Sequence, residues 1–383
     1  MTDAWWVDPS ELNDEQAHVV SDLSLDESHV VIGPPGSGKT NLLLLRGNYL
    51  VGSGRPNIAI ITFTRTLTEY IASGAENYNF APDKIKTLTK LLRELLYDYG
   101  ALPDELSEDF AEAREQLIEL TEQLVHTKHL GHLFDTILLD EAQDYTNREV
   151  DLVRGLAQHV FATGDSRQKI YTGENGLERL AAVVPSVSTL TYHYRNGKRI
   201  CEVADKIGSA VEGYVPLLPT MNYKENRRPS SVSVERGNID EQVRKLIEAL
   251  RVQRRAYPDE LLGVMCPKRE HASEVYARLK DTDLSEDTIL QIQDEYGAFG
   301  NARISVSTWH SAKGLEFRTV HLLTSDFLKR FREQRNMAYT AVTRAKTSLT
   351  VYHDAALPTW FEGALAMPPG TPPTLATAFG RKN

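Results

Sequence analysis

Short runs of β-branched and aliphatic residues recur through the first half of the chain: HVVIG (29–33), NIAIITF (57–63), TILLD (136–140) and HVFATGD (159–165). Helix-like stretches separate them up to about residue 185. Apolar runs of this length, spaced by amphipathic segments, predict a parallel sheet flanked by helices. A second series follows with SVSVE, LLGVMCP, RISVST, TVHLLT and LTVYH, and the helical patterns IDEQVRKLIEALR and ASEVYARLK lie between its members. The fold class expected is therefore α/β in two halves. From residue 356 onward, ALPTWFEGALAMPPGTPPTLATAFGRKN has five prolines and no clear period, so a loosely ordered tail is expected.

The length, 383 residues, suits two domains of ordinary size. No run of about 18 apolar residues is present, so no membrane span is expected. The N-terminus is acidic and lacks an apolar secretory core. The two cysteines, Cys201 and Cys266, stand far apart and do not make a disulfide framework or a metal cluster, which fits a reducing, cytoplasmic setting.

Charge complicates the picture. The chain carries a formal net charge of −10, where a nucleic-acid binder should present a basic footprint. The excess is local. Residues 101–125 hold eight acids and one arginine, which leaves the rest of the chain near −3. A basic groove remains open to the fold, with 327–346 as one candidate wall. The acidic segment itself reads either as a solvated helix face or as a partner-docking surface.

Chemistry enters with HVVIGPPGSGKTN. A β-branched strand runs into G-x-x-x-x-G-K-[ST], and LLLLRGNYL continues as a helix. Gly33, Pro34, Pro35, Gly36, Ser37 and Gly38 form a loop whose backbone N–H groups can cradle phosphates at a helix N-terminus. Lys39 should reach the β- and γ-phosphates, and the Thr40 hydroxyl should bind Mg²⁺. Further along, TILL delivers Asp140 and Glu141 to the C-terminal end of a strand, where ligands collect in open α/β sheets. Asp140 suits the metal. Glu141 suits the orientation and deprotonation of an attacking water. Arg344, in AVTRAK, is either a surface residue or an arginine finger supplied in cis.

These pieces, in this order, resemble the superfamily 1 helicases of the UvrD/Rep type over about residues 10–352. ELNDEQAHVV resembles the adenine-reading Q motif, GPPGSGKT motif I, ITFTRTLTEYI motif Ia, and DEAQD motif II. GDSRQKIY resembles motif III, LTYHYRNGKRI motif IV, VSTWHSAKGLEF motif V, and AYTAVTRAK motif VI. The resemblance implies two RecA-like lobes with ATP between them and single-stranded nucleic acid across both, moving usually 3′ to 5′. It implies residues 1–190 as the first lobe, 191–355 as the second and 356–383 as the tail. The family's large helical insertions shrink here to a remnant at about 84–131 in the first lobe and are effectively missing from the second. By the same resemblance, Gln16 contacts the base, Gln168 senses the γ-phosphate, and Tyr194 and Arg195 flank the nucleotide. Glu316 reaches the ribose or the lobe interface, and Arg344 acts as the finger.

The DNA-facing positions implied are Thr62, Phe63 and Thr64, Thr87, and Thr308, Trp309 and His310. The face of Phe63 is left open by the alternation in IAIITFT, which also permits a core position. Three departures stand out. Gly173-Glu174 occupies the place of a base-stacking aromatic and a cation. Thr87-Leu88-Thr89 replaces the usual Thr-Phe-His. Asn41 replaces an arginine that packs on the adenine. Two functions follow: an ATP-dependent translocase or helicase on single-stranded DNA, RNA not being distinguished, or an ATPase motor or switch subunit of a larger repair or anti-phage assembly that does not unwind alone.

Overall fold

The computed structural model describes residues 9–73, 78–165, 174–211, 213–292, 295–296, 302–328 and 332–366. The first sheet is parallel throughout and runs in the order β3-β2-β4-β5-β1-β6. Its strands are β1 (His29–Ile32), β2 (Ile58–Thr62), β3 (Ile85–Thr87), β4 (Phe134–Leu139), β5 (Ala157–Gly164) and β6 (Ser186–Thr189). Chain order and spatial order differ, as crossover helices require. Those helices are α1 (Asp14–Ala17), α2 (Lys39–Gly52), α3 (Arg65–Ser73), α4 (Leu88–Asp98), α5 (Phe110–Lys128), α6 (Asn147–Leu156) and α7 (Gly176–Val183). All five residues of β2 are buried, the mark of a strand covered on both faces.

The second sheet runs β10-β9-β11-β8-β12-β13-β7. Its strands are β7 (Ser231–Arg236), β8 (Leu262–Cys266), β9 (Thr288–Ile292), β10 (Glu295–Tyr296), β11 (Ile304–Thr308), β12 (Phe317–Leu322) and β13 (Ala345–His353). Only the β9–β10 pair is antiparallel. Its helices are α8 (Lys198–Gly208), α9 (Ile239–Ala256), α10 (Arg269–Lys280), α11 (Arg332–Val342) and α12 (Thr359–Leu365). The two sheets are the α/β architecture expected of paired RecA-like lobes. One continuous buried apolar cluster contains both Leu43 and Ile60 of the first and Leu315 and Phe317 of the second, so the sheets share a core.

The expected tail differs in its first part. Residues 359–365 form α12, whose Phe361, Ala364 and Leu365 are buried. The i, i+3, i+4 spacing puts all three on one face, and that face joins the shared core. Residues 367–383 lie outside the described residues. Within the segment between β3 and β4, α4 and α5 bury Leu91, Leu92, Leu95, Leu117 and Leu124 together in the core on the far side of the first sheet. Cys201 and Cys266 are free and buried, and burial pushes both thiols up. No described helix is long and apolar enough to cross a membrane.

Candidate functional site

The loop after β1 can take its path only because two of its positions are glycine. Gly36 has φ +76° and Gly38 φ +86°, and Gly38 caps α2 from the left-handed region. At Gly36 a Cβ atom would stand 2.4 Å from Cβ of Arg195 and 3.2 Å from its backbone nitrogen. The close approach therefore serves a residue from the other end of the site. Gly36→Ala is expected to displace Arg195 and to lower nucleotide affinity at least tenfold, combining the roughly 1–2 kcal/mol of a left-handed alanine with a backbone clash. A fluorescent-nucleotide titration measures it.

Lys39 is buried and donates to the carbonyls of Gly33 and Pro34, each at 2.9 Å. Thr40 Oγ1 donates to Asp140 Oδ2 at 2.8 Å, and Thr163 Oγ1 donates to Asp140 Oδ1 at 2.6 Å. Burial and the neighbouring Glu141 charge push the Asp140 carboxyl up, against the pull of the two hydroxyls and Lys39. Glu141 sits at φ 51°, a left-handed position for a non-glycine residue. Its Oε2 accepts from Gln143 Nε2 at 2.5 Å. Burial pushes Glu141 up, but Lys313, Arg344 and Lys39 outweigh it and hold the carboxyl below its ordinary value.

The second lobe closes the cleft, which is lined by Lys39, Thr40, Asp140, Glu141, Arg195 and Arg344 among others. Arg344 is buried and donates to the carbonyls of Thr340 and Leu315. Burial and Arg195 lower it to about 10, while Glu141, Glu316 and Asp165 favour its charge. Arg195 Nε donates to Glu316 Oε2 at 2.7 Å, and Lys346 pairs with Glu316 Oε1 at 2.6 Å. Glu316 is thus engaged by two cations at the lobe interface. Gln16 braces the loop: Nε2 donates to the Ser37 carbonyl at 3.1 Å, and Oε1 accepts from the Asn13 backbone in a capping box. Tyr194 donates its backbone N–H to the Gly36 carbonyl at 2.9 Å, and its hydroxyl accepts from Asn13. Pro34, Pro35 and Asn41 complete the loop and the start of α2, and Asn41 lines the cleft. Gln168 and Gly173 lie outside the described residues. Glu174, at the position expected for a cation, is committed within the chain: its Oε2 accepts from the Asn147 backbone at 2.8 Å at the start of α6.

The residues expected along a nucleic-acid strand divide. Phe63 is half-buried, set edge-on to Tyr145 with ring centroids 5.4 Å apart. Thr64 Oγ1 donates to the Lys313 carbonyl at 3.2 Å, linking the lobes. Thr62 is buried and bonded to Thr68, and Thr87 caps α4. Trp309 is a correction. It is fully buried in the shared core, because it continues a strand whose neighbours cover both faces, so it cannot contact a strand of nucleic acid. Thr308 is also buried and caps the following turn through Ser311, while His310 is exposed.

Sequence reasoning missed several residues. Gln143 joins Glu141 to the start of the loop after β5, since its Oε1 accepts from the Asp165 backbone at 3.0 Å; its place inside DEAQD was the available signal. Lys313, within KGLEF, forms a buried ion pair with Asp144 across the lobes. Phe327, 45% exposed, follows β12 with Lys268 Nζ 4.9 Å from its ring centroid and the His271 ring at 4.4 Å.

Residues 303–352 match the family model described as the UvrD-like helicase C-terminal domain, and residues 16–174 match that of an AAA domain. Together the two matches support a UvrD-like superfamily 1 helicase. Among solved structures this UvrD-like chain is similar to the C-terminal domain of a possible DNA helicase from Lactobacillus plantarum WCFS1, at 20% identity over 44% of this chain and 91% of that one, with a TM-score of 0.32. It is also similar to the PRRSV helicase, at 16% identity over 88% of this chain and 54% of that one, with a TM-score of 0.39. No curated protein matches it. Helicase-like domains of this kind are nucleotide-driven, and the cleft carries Lys39 and Glu141 on one wall and Arg195 and Arg344 on the other.

Proposed function

We propose that this chain is an ATP-dependent translocase on single-stranded DNA, moving 3′ to 5′ as is usual in the family, with ATP hydrolysed between the lobes. The observation that carries the reading is the convergence of Lys39, Thr40, Asp140 and Glu141 from the first lobe with Arg195 and Arg344 from the second. The positive-φ glycines supply the backbone cradle, and Thr40 and Asp140 offer the hard oxygen ligands that Mg²⁺ prefers. When bound, Mg²⁺ supplies charge neutralisation at the phosphates. Glu141, kept ionised by three cations, accepts the proton of the attacking water. Arg195 and Arg344 oppose the charge that develops on the transferring group.

The nucleic-acid side of the proposal rests on two half-exposed phenylalanines at C-terminal strand ends. Phe63 follows β2 in the first lobe, and Phe327 follows β12 in the second, with Lys268 beside it. A base stacks on either ring without sequence preference. Phe63→Ala and Phe327→Ala are each expected to weaken binding of a dT oligonucleotide about tenfold, since base stacking is worth roughly 1–3 kcal/mol. Fluorescence anisotropy at fixed salt reads this, and unchanged affinity in both variants removes the proposed track.

The decisive experiment is ATP turnover with no nucleic acid, single-stranded DNA, duplex DNA and RNA at stated salt. Stimulation by single-stranded DNA is expected. Turnover indifferent to every nucleic acid would sink the reading. The alternative of a partner-docked subunit relied on the acids of 101–125. Several of these are committed within the chain: Glu115 and Glu122 both bind Arg148 of α6, and Asp109 caps α5.

A further inference from the structure

Arg114 is the lone base of the acidic segment 101–125, on α5, outside every motif the family shares. It faces inward. Nε donates to Glu149 Oε1 at 2.6 Å and Nη2 to Glu149 Oε2 at 2.8 Å, a two-pronged pair. Glu149 is 1% exposed, and its Oε2 also accepts from the Thr146 backbone at 2.9 Å in the capping box that starts α6. Such a fork fixes the guanidinium plane as well as its place. The plane lies beside two rings: Cζ stands 5.6 Å from the Phe63 centroid and 6.0 Å from that of Tyr145. On Phe63 a second cation converges, Lys313 Nζ at 5.7 Å, from the other lobe. Tyr145, 2% exposed, meets Phe63 edge-on at 87°.

Phe63 is therefore held by Tyr145, Lys313 and Arg114 among its neighbours, and Arg114 comes from the helical segment between β3 and β4. Half-buried phenylalanine at a strand end has freedom about χ1 and χ2, and stacking on a base requires one ring orientation. Ordering the ring in advance removes that cost from binding. We infer that Arg114 is a positioning residue, through which α5 orients the Phe63 ring for a stacked base. The inference rests on the nucleic-acid role proposed for Phe63. It gives the shortened insertion a task that its surface charge conceals: α5 is acidic outward and supplies one half-buried cation to the nucleic-acid face.

The test is anisotropy with a labelled dT oligonucleotide on the full chain. Arg114→Met is expected to weaken binding about tenfold, comparable to Phe63→Ala. If Arg114 acts through the ring, Phe63→Ala/Arg114→Met binds no more weakly than Phe63→Ala alone. Because Arg114→Met strands a buried carboxylate, Arg114→Met/Glu149→Gln is measured beside it; this pair should recover the melting temperature while staying about tenfold weak. Wild-type affinity in Arg114→Met/Glu149→Gln overturns the inference. So does multiplication of the two effects in Phe63→Ala/Arg114→Met, which would put Arg114 on the strand by itself. An unaltered Phe63→Ala removes the nucleic-acid role of Phe63 and the inference with it; a weakened Phe63→Ala beside an unaltered Arg114→Met removes the inference alone.

Discussion

Glu141→Gln is expected to lower ATP turnover by about 10²–10⁴-fold, the range typical for removal of a positioned general base, while nucleotide binding persists. Glutamine keeps the shape of the side chain and tolerates the left-handed backbone at φ 51° as well as glutamate does. That backbone is over-determined: the Glu141 N–H donates to Asp140 Oδ1 at 3.0 Å, and Gln143 grips the side chain. What the substitution removes is the ability to take a proton. Lys313, Arg344 and Lys39 keep the native carboxyl ionised against burial, and an amide offers them only a dipole. Single-turnover hydrolysis separates the chemical step from product release, and a nucleotide titration confirms the bound state. Turnover within tenfold of wild type would assign the base to another group. Loss of nucleotide affinity in parallel would mean that the cleft itself had opened.

How much of this was legible in the sequence depends on how each feature is encoded. The phosphate loop is local: two glycines, a lysine and a threonine between a strand and a helix define their own backbone. Asp140 and Glu141 are equally local, since the strand that delivers them is a short apolar run. Contacts between distant segments leave no such trace. Arg114 and Glu149 are separated by 35 residues and Asp144 and Lys313 by 169, and in each case only the fold shows the pair. Trp309 was misplaced for a related reason. An aromatic beside a nucleic-acid motif and an aromatic finishing a buried strand have the same spelling, and burial of so large an apolar surface settles the matter. The short helix α12 was hidden differently. Its apolar i, i+3, i+4 triad is present in TWFEGAL, but five prolines in 28 residues outweighed one turn and a half of periodicity. Glu174 belongs with the distant contacts: 27 residues separate it from Asn147, the backbone donor it meets in the first turn of α6.

Lys313→Met is the second large effect expected, and it is expected in stability. The Lys313 side chain is 1% exposed and that of Asp144 0%, and their ion pair joins the loop after β11 to the turn after Glu141. Removing one member of a buried pair costs about 3–5 kcal/mol, because the other charge stays behind without a partner. The sign of the pH dependence follows from Asp144. Burial already raises its carboxyl to about 6 despite Lys313. The folded value therefore lies above the ordinary one, so this group favours folding at low pH and its contribution is lost as pH rises through about 6. Without the ammonium the carboxyl rises further. The deficit of Lys313→Met relative to wild type should be small at pH 5, where Asp144 takes up a proton, and should widen toward pH 8. Asp144→Leu combined with Lys313→Met removes both charges and should recover most of the loss at pH 8. Melting temperatures of the three proteins across pH 5–8 decide it. A deficit independent of pH would mean that Asp144 does not carry the unpaired charge, and a double variant as unstable as Lys313→Met would place the loss in packing. In either case Lys313 would cease to be the electrostatic joint between the nucleotide cleft and the ring of Phe63, 5.7 Å from its ammonium.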